Sequence, residues 1–104
     1  MLCAHTVRRL HEGRFDDFQA AFTPSGDDAP PGWVRFVMLK PRTGDPNHVV
    51  TFGFFDGTLE ELEASQRDHG YEDVRAATDP FVAELLVNGV YDVVVDLRPD
   101  HART

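Results

Sequence analysis

Few side chains in this sequence are placed to do chemistry, and the first is His5, in the apolar segment Leu2-Cys3-Ala4-His5-Thr6-Val7. An imidazole titrates near neutrality, so it can take a proton from a phenolic substrate. The same ring also suits a backbone hydrogen bond or a contact with a partner subunit. His69 and Tyr71 flank Gly70 at a break in helical sequence, a place for either a pocket lip or a surface turn. Trp33 opens the second apolar run, where its ring can wall a pocket or pack in the core or a dimer face. Arg35 is a charge among apolar neighbours, costly unless paired. Asp92 or Asp96, across the sheet or across a dimer, would satisfy it, as would a ligand anion.

Other chemistries lack their residues. The histidines are His5, His11, His48, His69 and His101, and none stands three or four residues from another, so no helical metal site is expected. Ser25 and Ser65, the only serines, lie in a loop and on a charged helix, away from any nucleophile elbow, and no glycine-rich phosphate loop or dinucleotide fingerprint is present. The lone cysteine, Cys3, reads as core filler in an apolar strand.

The whole, 104 residues with 41% hydrophobic and 27% charged, has a globular balance and the length of one domain with one core. That domain is read over 1–104, its core over about 2–97, with a polar tail from 98 to 104. A formal charge of −8 repels a phosphate backbone, so nucleic acid and anionic membranes are not expected partners. Apolar runs fall far short of the roughly 18 residues of a spanning helix. The first residues lack a secretory signal's pattern, and with one cysteine a cytoplasmic location is expected.

These residues must be positioned by elements legible in the spacing. Leu2 to Arg9 reads as a strand. Phe15, Phe18 and Phe22 fall on one face of a helix over about 11–22, with Arg14, Asp16, Asp17 and Gln19 outward. A loop follows to Gly32, then strands at Trp33–Lys40 and His48–Phe55 paired as a hairpin. Thr58 and Glu61 fit a capping box at the start of a helix over about 59–68. Helical character resumes through Tyr71, Val74 and Arg75, Asp79-Pro80 offers a fresh cap, Asn88-Gly89 ends the helical region, and Val90–Leu97 is read as the last strand. Phe15, Phe18, Phe22, Phe52 and Phe81 are read as core.

The β-α-β-β-α-β order predicts an α+β, ferredoxin-like sandwich, both helices on one face of an antiparallel sheet. Yet both faces of the middle strands are apolar. Trp33, Val37 and Leu39 are expected to oppose Val34, Phe36 and Met38, and Val50, Phe52 and Phe54 to oppose Val49 and Phe55. A contiguous apolar patch marks an interaction surface. A second copy, packed sheet against sheet, is the expected cover.

The run Gly13-Arg14-Phe15-Asp16-Asp17-Phe18, Pro31-Gly32-Trp33, and Val49 to Asp56 leading into Thr58-Leu59-Glu60-Glu61-Leu62 resembles the antibiotic-biosynthesis-monooxygenase-like family of the dimeric α+β barrel superfamily. The likeness spans about residues 2–97. It implies a homodimer with a pocket between helices and sheet in each subunit, used by some members to oxygenate a small, aromatic molecule without a bound cofactor, while other members have no known activity. A non-catalytic, dimeric small-molecule-binding or accessory domain is therefore the alternative function. Oxygenases of the family resemble one another in an asparagine on the third strand and a tryptophan at its end, where this chain has Thr51 and Phe55. Arg75 falls near a basic residue facing the pocket. The resemblance thus implies Thr51 and Arg75 as catalytic contacts with Thr6 and Phe55 near the substrate, to which the residue chemistry above adds His5 as a catalytic contact and Trp33, His69 and Tyr71 around the substrate. A haem-degrading branch looks to need an asparagine, a tryptophan and a histidine where Thr6, Phe55 and Arg75 stand. Arginine is no ordinary haem ligand, which leaves only His69 from a shifted position.

Overall fold

A computed structural model of the chain describes residues 1–22, 30–68 and 71–99. The elements in order are β1 (Leu2–Leu10), α1 (Phe15–Phe22), β2 (Trp33–Leu39), β3 (His48–Phe55), α2 (Leu59–Asp68), α3 (Tyr71–Thr78), a 3-10 turn (Asp79–Phe81) and β4 (Val82–Asp92). The four strands form one antiparallel sheet in the order β2-β3-β1-β4. This is the expected ferredoxin-like α+β arrangement, with the helices on one face.

β3 shows the two faces cleanly. Val49, Thr51, Gly53 and Phe55 are buried toward the helices, while His48, Val50, Phe52 and Phe54 are only half-buried. The main core joins Leu10, Phe18 and Val49, with Phe15, Phe22, Met38, Phe81 and Val82 packed around them. Phe52 is no part of it, because the two-residue alternation of β3 turns its ring to the uncovered face. A second cluster locks α2 down: the Trp33 indole N–H donates to Ser65 Oγ at 2.9 Å, and Phe55 meets Trp33 edge-on at 5.0 Å. The Phe55 ring fits against the backbone at Gly32, where φ is +95° and any Cβ would lie 2.4 Å from the ring. Only glycine satisfies both constraints.

Three expectations need correction. α1 starts at Phe15, because the chain turns first, with Gly13 at φ +75° and the Arg14 N–H donating to the His11 carbonyl. In β2, Val34 is an extra residue: Trp33 pairs with Phe55 and Arg35 with its neighbour Phe54. This bulge puts Trp33 on the helix side with Phe36 and Met38, and leaves Arg35, Val37 and Leu39 on the other. The last strand starts at Val82, and Asn88-Gly89 lies inside it. Ala83-Glu84-Leu85-Leu86 has helix-forming composition, but β1 is central and its second edge must be paired, so tertiary pairing overrides propensity. Two register shifts, leaving Ala83 and Leu86 unmatched, fit eleven residues of β4 to nine of β1.

The Thr58 capping box forms as expected. The Thr58 N–H donates to Glu61 Oε1 at 2.9 Å and the Glu61 N–H to Thr58 Oγ1 at 3.1 Å. These bonds hold the Glu61 carboxyl below its ordinary pKa.

Candidate functional site

On the helix-covered face Thr6 and Arg8 of β1 point the same way, two residues apart. Thr6 pairs with Thr51 of β3 on one side and Asn88 of β4 on the other, giving a polar row in an otherwise apolar layer. Thr6 and Thr51 are both buried. Arg8 Nη1 donates to Thr51 Oγ1 at 3.1 Å, and its guanidinium lies over the rings of Phe18 and Phe22, at 5.4 and 5.7 Å from their centroids. Those rings stack on each other at 5.5 Å. The Phe15, Phe18, Phe22 repeat thus does more than fill the core: it provides an aromatic seat for a cation.

Arg75 comes down from the last turn of α3. The end of that helix is fixed by the buried Thr78, whose hydroxyl bonds to the carbonyls of Val74 and Arg75 at 3.1 and 3.2 Å. Asp79 opens the following 3-10 turn. Thr6, Arg8, Arg75, Asp79, Val82, Leu85 and Asn88 together line a cleft of about 100 Å³. Two guanidiniums and one carboxylate make it a locally cationic site on an acidic chain, suited to an anion or a group that becomes one.

The structure brings Thr6 and Arg75 together in the cleft and places Thr51 beside it through Arg8. It does not bring His5 there. His5 is on the uncovered face, stacked on Phe52 at 4.7 Å with 7° between planes, and 5.7 Å from the Tyr91 ring. The odd-numbered positions of β1 face away from the helices, so its catalytic assignment has no support from geometry. Trp33 and Phe55 are also elsewhere: Phe55 pairs with Leu2, four residues and about 13 Å along β1 from Thr6. Their rings anchor α2. His69 and the side chain of Tyr71 lie outside the described residues.

Arg35 is exposed on the uncovered face and makes no ion pair among the described residues. β2 and β4 are opposite edges of the sheet, about 14 Å apart, so the expected in-chain pairing with Asp92 is not made. Asp96 pairs with Arg98 instead, at 3.1 Å. Cys3 is buried, and burial pushes its thiol up, which keeps it protonated and inert.

Sequence reading missed Arg8, Asp79 and Asn88. The alternation of β1 held the signal for Arg8, since it shares parity with Thr6 and Leu10. Asn88 had none, because it was read as a helix terminator and not as a strand residue.

No family model and no curated protein matches the sequence. Solved structures do match. A protein from Chloroflexus aurantiacus J-10-fl, provisionally named an antibiotic biosynthesis monooxygenase, superposes with a TM-score of 0.76 at 21% identity, covering 93% of this chain and 96% of its own. A similarly named protein from Nitrosomonas europaea gives 0.74 at 18%, with 91% and 100% covered. SnoaB from Streptomyces nogalater, a cofactor-independent oxygenase, gives 0.65 at 17%, with 94% and 97% covered. The chain has the fold of these proteins. The antibiotic-biosynthesis-monooxygenase fold expected from its strand and helix starts is therefore present, over nearly the whole chain. At these identities the likeness is one of fold, and the residues of the cleft must be argued on their own.

Proposed function

We propose that the cleft between α3 and the β1–β4 half of the sheet binds a small, electron-rich aromatic molecule, and that the protein, a cytoplasmic homodimer, oxygenates it without a bound metal or flavin. One observation carries the reading: polar side chains from β1, β4, α3 and the 3-10 turn converge in one cleft under the helices. A substrate that reacts with dioxygen unaided must first become an electron-rich anion, as a phenol does on losing its proton. Arg8 and Arg75 favour that anion by proximity of opposite charge. Asp79 is the carboxylate in the cleft able to take the proton, the role His5 was expected to fill. Thr6 and Asn88 offer a hydroxyl and an amide to hold substrate oxygens. That SnoaB shares the fold and is a cofactor-independent oxygenase supports the reaction class.

The homodimer is supported by the apolar face that the helices leave open, where Phe52 and Tyr91 flank His5 and Phe54, Val37 and Leu39 share the same face. No helix among the described residues is long and apolar enough to cross a membrane.

The size of the cleft counts against turnover of an aromatic ring and so favours a second reading, a non-catalytic dimeric small-molecule-binding or accessory domain. About 100 Å³ is below the roughly 300–1,000 Å³ of common ligand pockets. It is also below the roughly 150 Å³ of an engineered cavity that holds benzene. Soaking crystals with small phenols and quinols, and following oxygen uptake with the same compounds, separates the two. The oxygenase reading expects a ring held against Arg75 and uptake that Arg75→Ala abolishes. A bound ring without oxygen uptake leaves the binding protein, and no bound ring at millimolar phenol removes both.

A further inference from the structure

An imidazole stands at the centre of the open face. β1 and β3 are the inner strands of the sheet, and the pair His5 and Phe52 falls near the midpoint of both. The His5 ring stacks flat on Phe52 at 4.7 Å. From the β4 side the Tyr91 ring leans in at 5.7 Å, lying over Gly89, where a Cβ would meet it at 3.4 Å. Val37 shares the row of His5, and Val50, Val7 and Val87 fill the next. His5 is itself half-buried, so water reaches its ring in a single chain.

No carboxylate lies beside it. In the three rows that contain or flank His5, the titratable and charged groups are Cys3 of β1, whose thiol burial keeps protonated, Tyr91 of β4 and Arg35 of β2, a fixed positive charge. Farther along this face, Arg9 is bonded to Glu84 of β4 at 2.6 Å, and His48 of β3 lies 3.6 Å from Asp45. The amino terminus at Met1, and Asp56 past the end of β3, are each four residues and about 13 Å from the His5–Phe52 pair. Asp92 pairs with Leu2 and so faces the helix side, and Asp96 is held by Arg98 at 3.1 Å.

We propose that His5 makes the dimer acid-sensitive: the seam buries two neutral imidazoles, and their protonation drives the copies apart. The switch rests on the homodimer proposed above. In a face-to-face pair the centre of the face is farthest from water, and a charged ring without a counter-charge is costly there. Dissociation therefore takes up a proton on each copy. Affinity is full above the ordinary imidazole range and is lost as pH falls through it. With imidazoles that take their protons at about pH 6.5 in water, two rings weaken the dimer by up to about a hundredfold between about pH 7.5 and 5.5. The chain's overall charge acts in the opposite direction: at −8, any loss of negative charge in acid eases repulsion between copies.

The test is light scattering of the full chain over a dilution series at those two pH values and one ionic strength, with circular dichroism on the same samples. Wild type should stay folded and dissociate at least about tenfold more readily at the lower pH. His5→Phe, which keeps the ring stack and cannot titrate, should give a dimer with one affinity at both pH values, and His5→Gln repeats the test should the phenylalanine fail to dimerise. His48→Gln should behave as wild type. A wild-type dimer equally tight or tighter in acid overturns the switch and leaves the homodimer standing, as does a His5→Phe or His5→Gln dimer that weakens as much as wild type, or a wild-type chain that unfolds at the lower pH. A chain monomeric at every concentration at the higher pH removes the homodimer and the switch with it.

Discussion

The two faces of this sheet both carry apolar side chains and end with different work. Across the covered face the rows read Phe36, Gly53, Ala4, Val90, then Met38, Thr51, Thr6, Asn88, and then Val49, Arg8, Leu85. Across the open face they read Arg35, Phe54, Cys3, Tyr91, then Val37, Phe52, His5, Gly89, then Leu39, Val50, Val7, Val87. The polar groups are concentrated under the helices, where each needs a partner and Arg8 and Thr51 find one in each other. The aromatic and aliphatic groups that ought to be hidden are left outside. A buried layer can hold hydroxyls and a guanidinium only where neighbours satisfy them, and such a layer is a place for chemistry. A half-exposed apolar layer has only contact to offer.

Phe18 gives the largest test of this contrast. Phe18→Ala in the covered layer should cost about 3–5 kcal/mol in denaturant unfolding, measured at low protein concentration. Phe52→Ala on the open face should cost less than half as much under the same conditions. Equal losses would mean that the open face is as much a core as the covered one. Next, Arg75→Ala should weaken binding of a small phenolate by roughly 1.5–3 kcal/mol, the worth of one hydrogen bond to a charged group, with Tm unchanged because Arg75 is exposed. His5→Phe should leave the same titration unaltered. A reversal of these two results would return the site to the open face.

Thr58→Ala should lower stability by about 1 kcal/mol through loss of the cap on α2. The capping bonds depress the Glu61 pKa in the fold. Their contribution is therefore present above the unfolded value of 4.5, and it is lost as pH falls through the lower folded value. Melting curves of wild type and Glu61→Ala should accordingly differ at pH 7 and converge as the folded value is passed. The smallest effect is kinetic: Cys3, buried between Phe54 and Tyr91 in its row, should be alkylated far more slowly in the native chain than in urea. Comparable rates would mean that the centre of the open face is loose.

The architecture was legible because three signals agreed over most of the chain. The phenylalanine spacing gave α1, the capping box gave α2, and the β-branched and aromatic run His48–Phe55 gave β3. β4 was misplaced because Ala83-Glu84-Leu85-Leu86 carries local preferences opposed to the pairing that β1 demands, and no local rule contains that demand. The site was half legible. Thr51, Thr6 and Arg75 were reached through a resemblance, and Arg8 was hidden by its type: a basic residue near a strand end suggests solvent until Phe18 and Phe22 are known to lie over it. His5 lies outside the cleft for the converse reason, since parity along β1 decides its face and the sequence alone does not say which parity the helices cover.

The bulge at Val34 has the character of a frame shift written in three dimensions. Upstream of it, side chains are assigned to the covered layer in one phase, and downstream in the other. Deleting that single residue would straighten the strand and leave Trp33 opposite Phe55, with its bond to Ser65 under α2, whereas drawing Val34 into the ladder as an ordinary strand residue would turn the Trp33 indole onto the outer surface. Whether this one residue stands in or out of the ladder therefore decides if Trp33 lies inside or outside, with every amino acid unchanged.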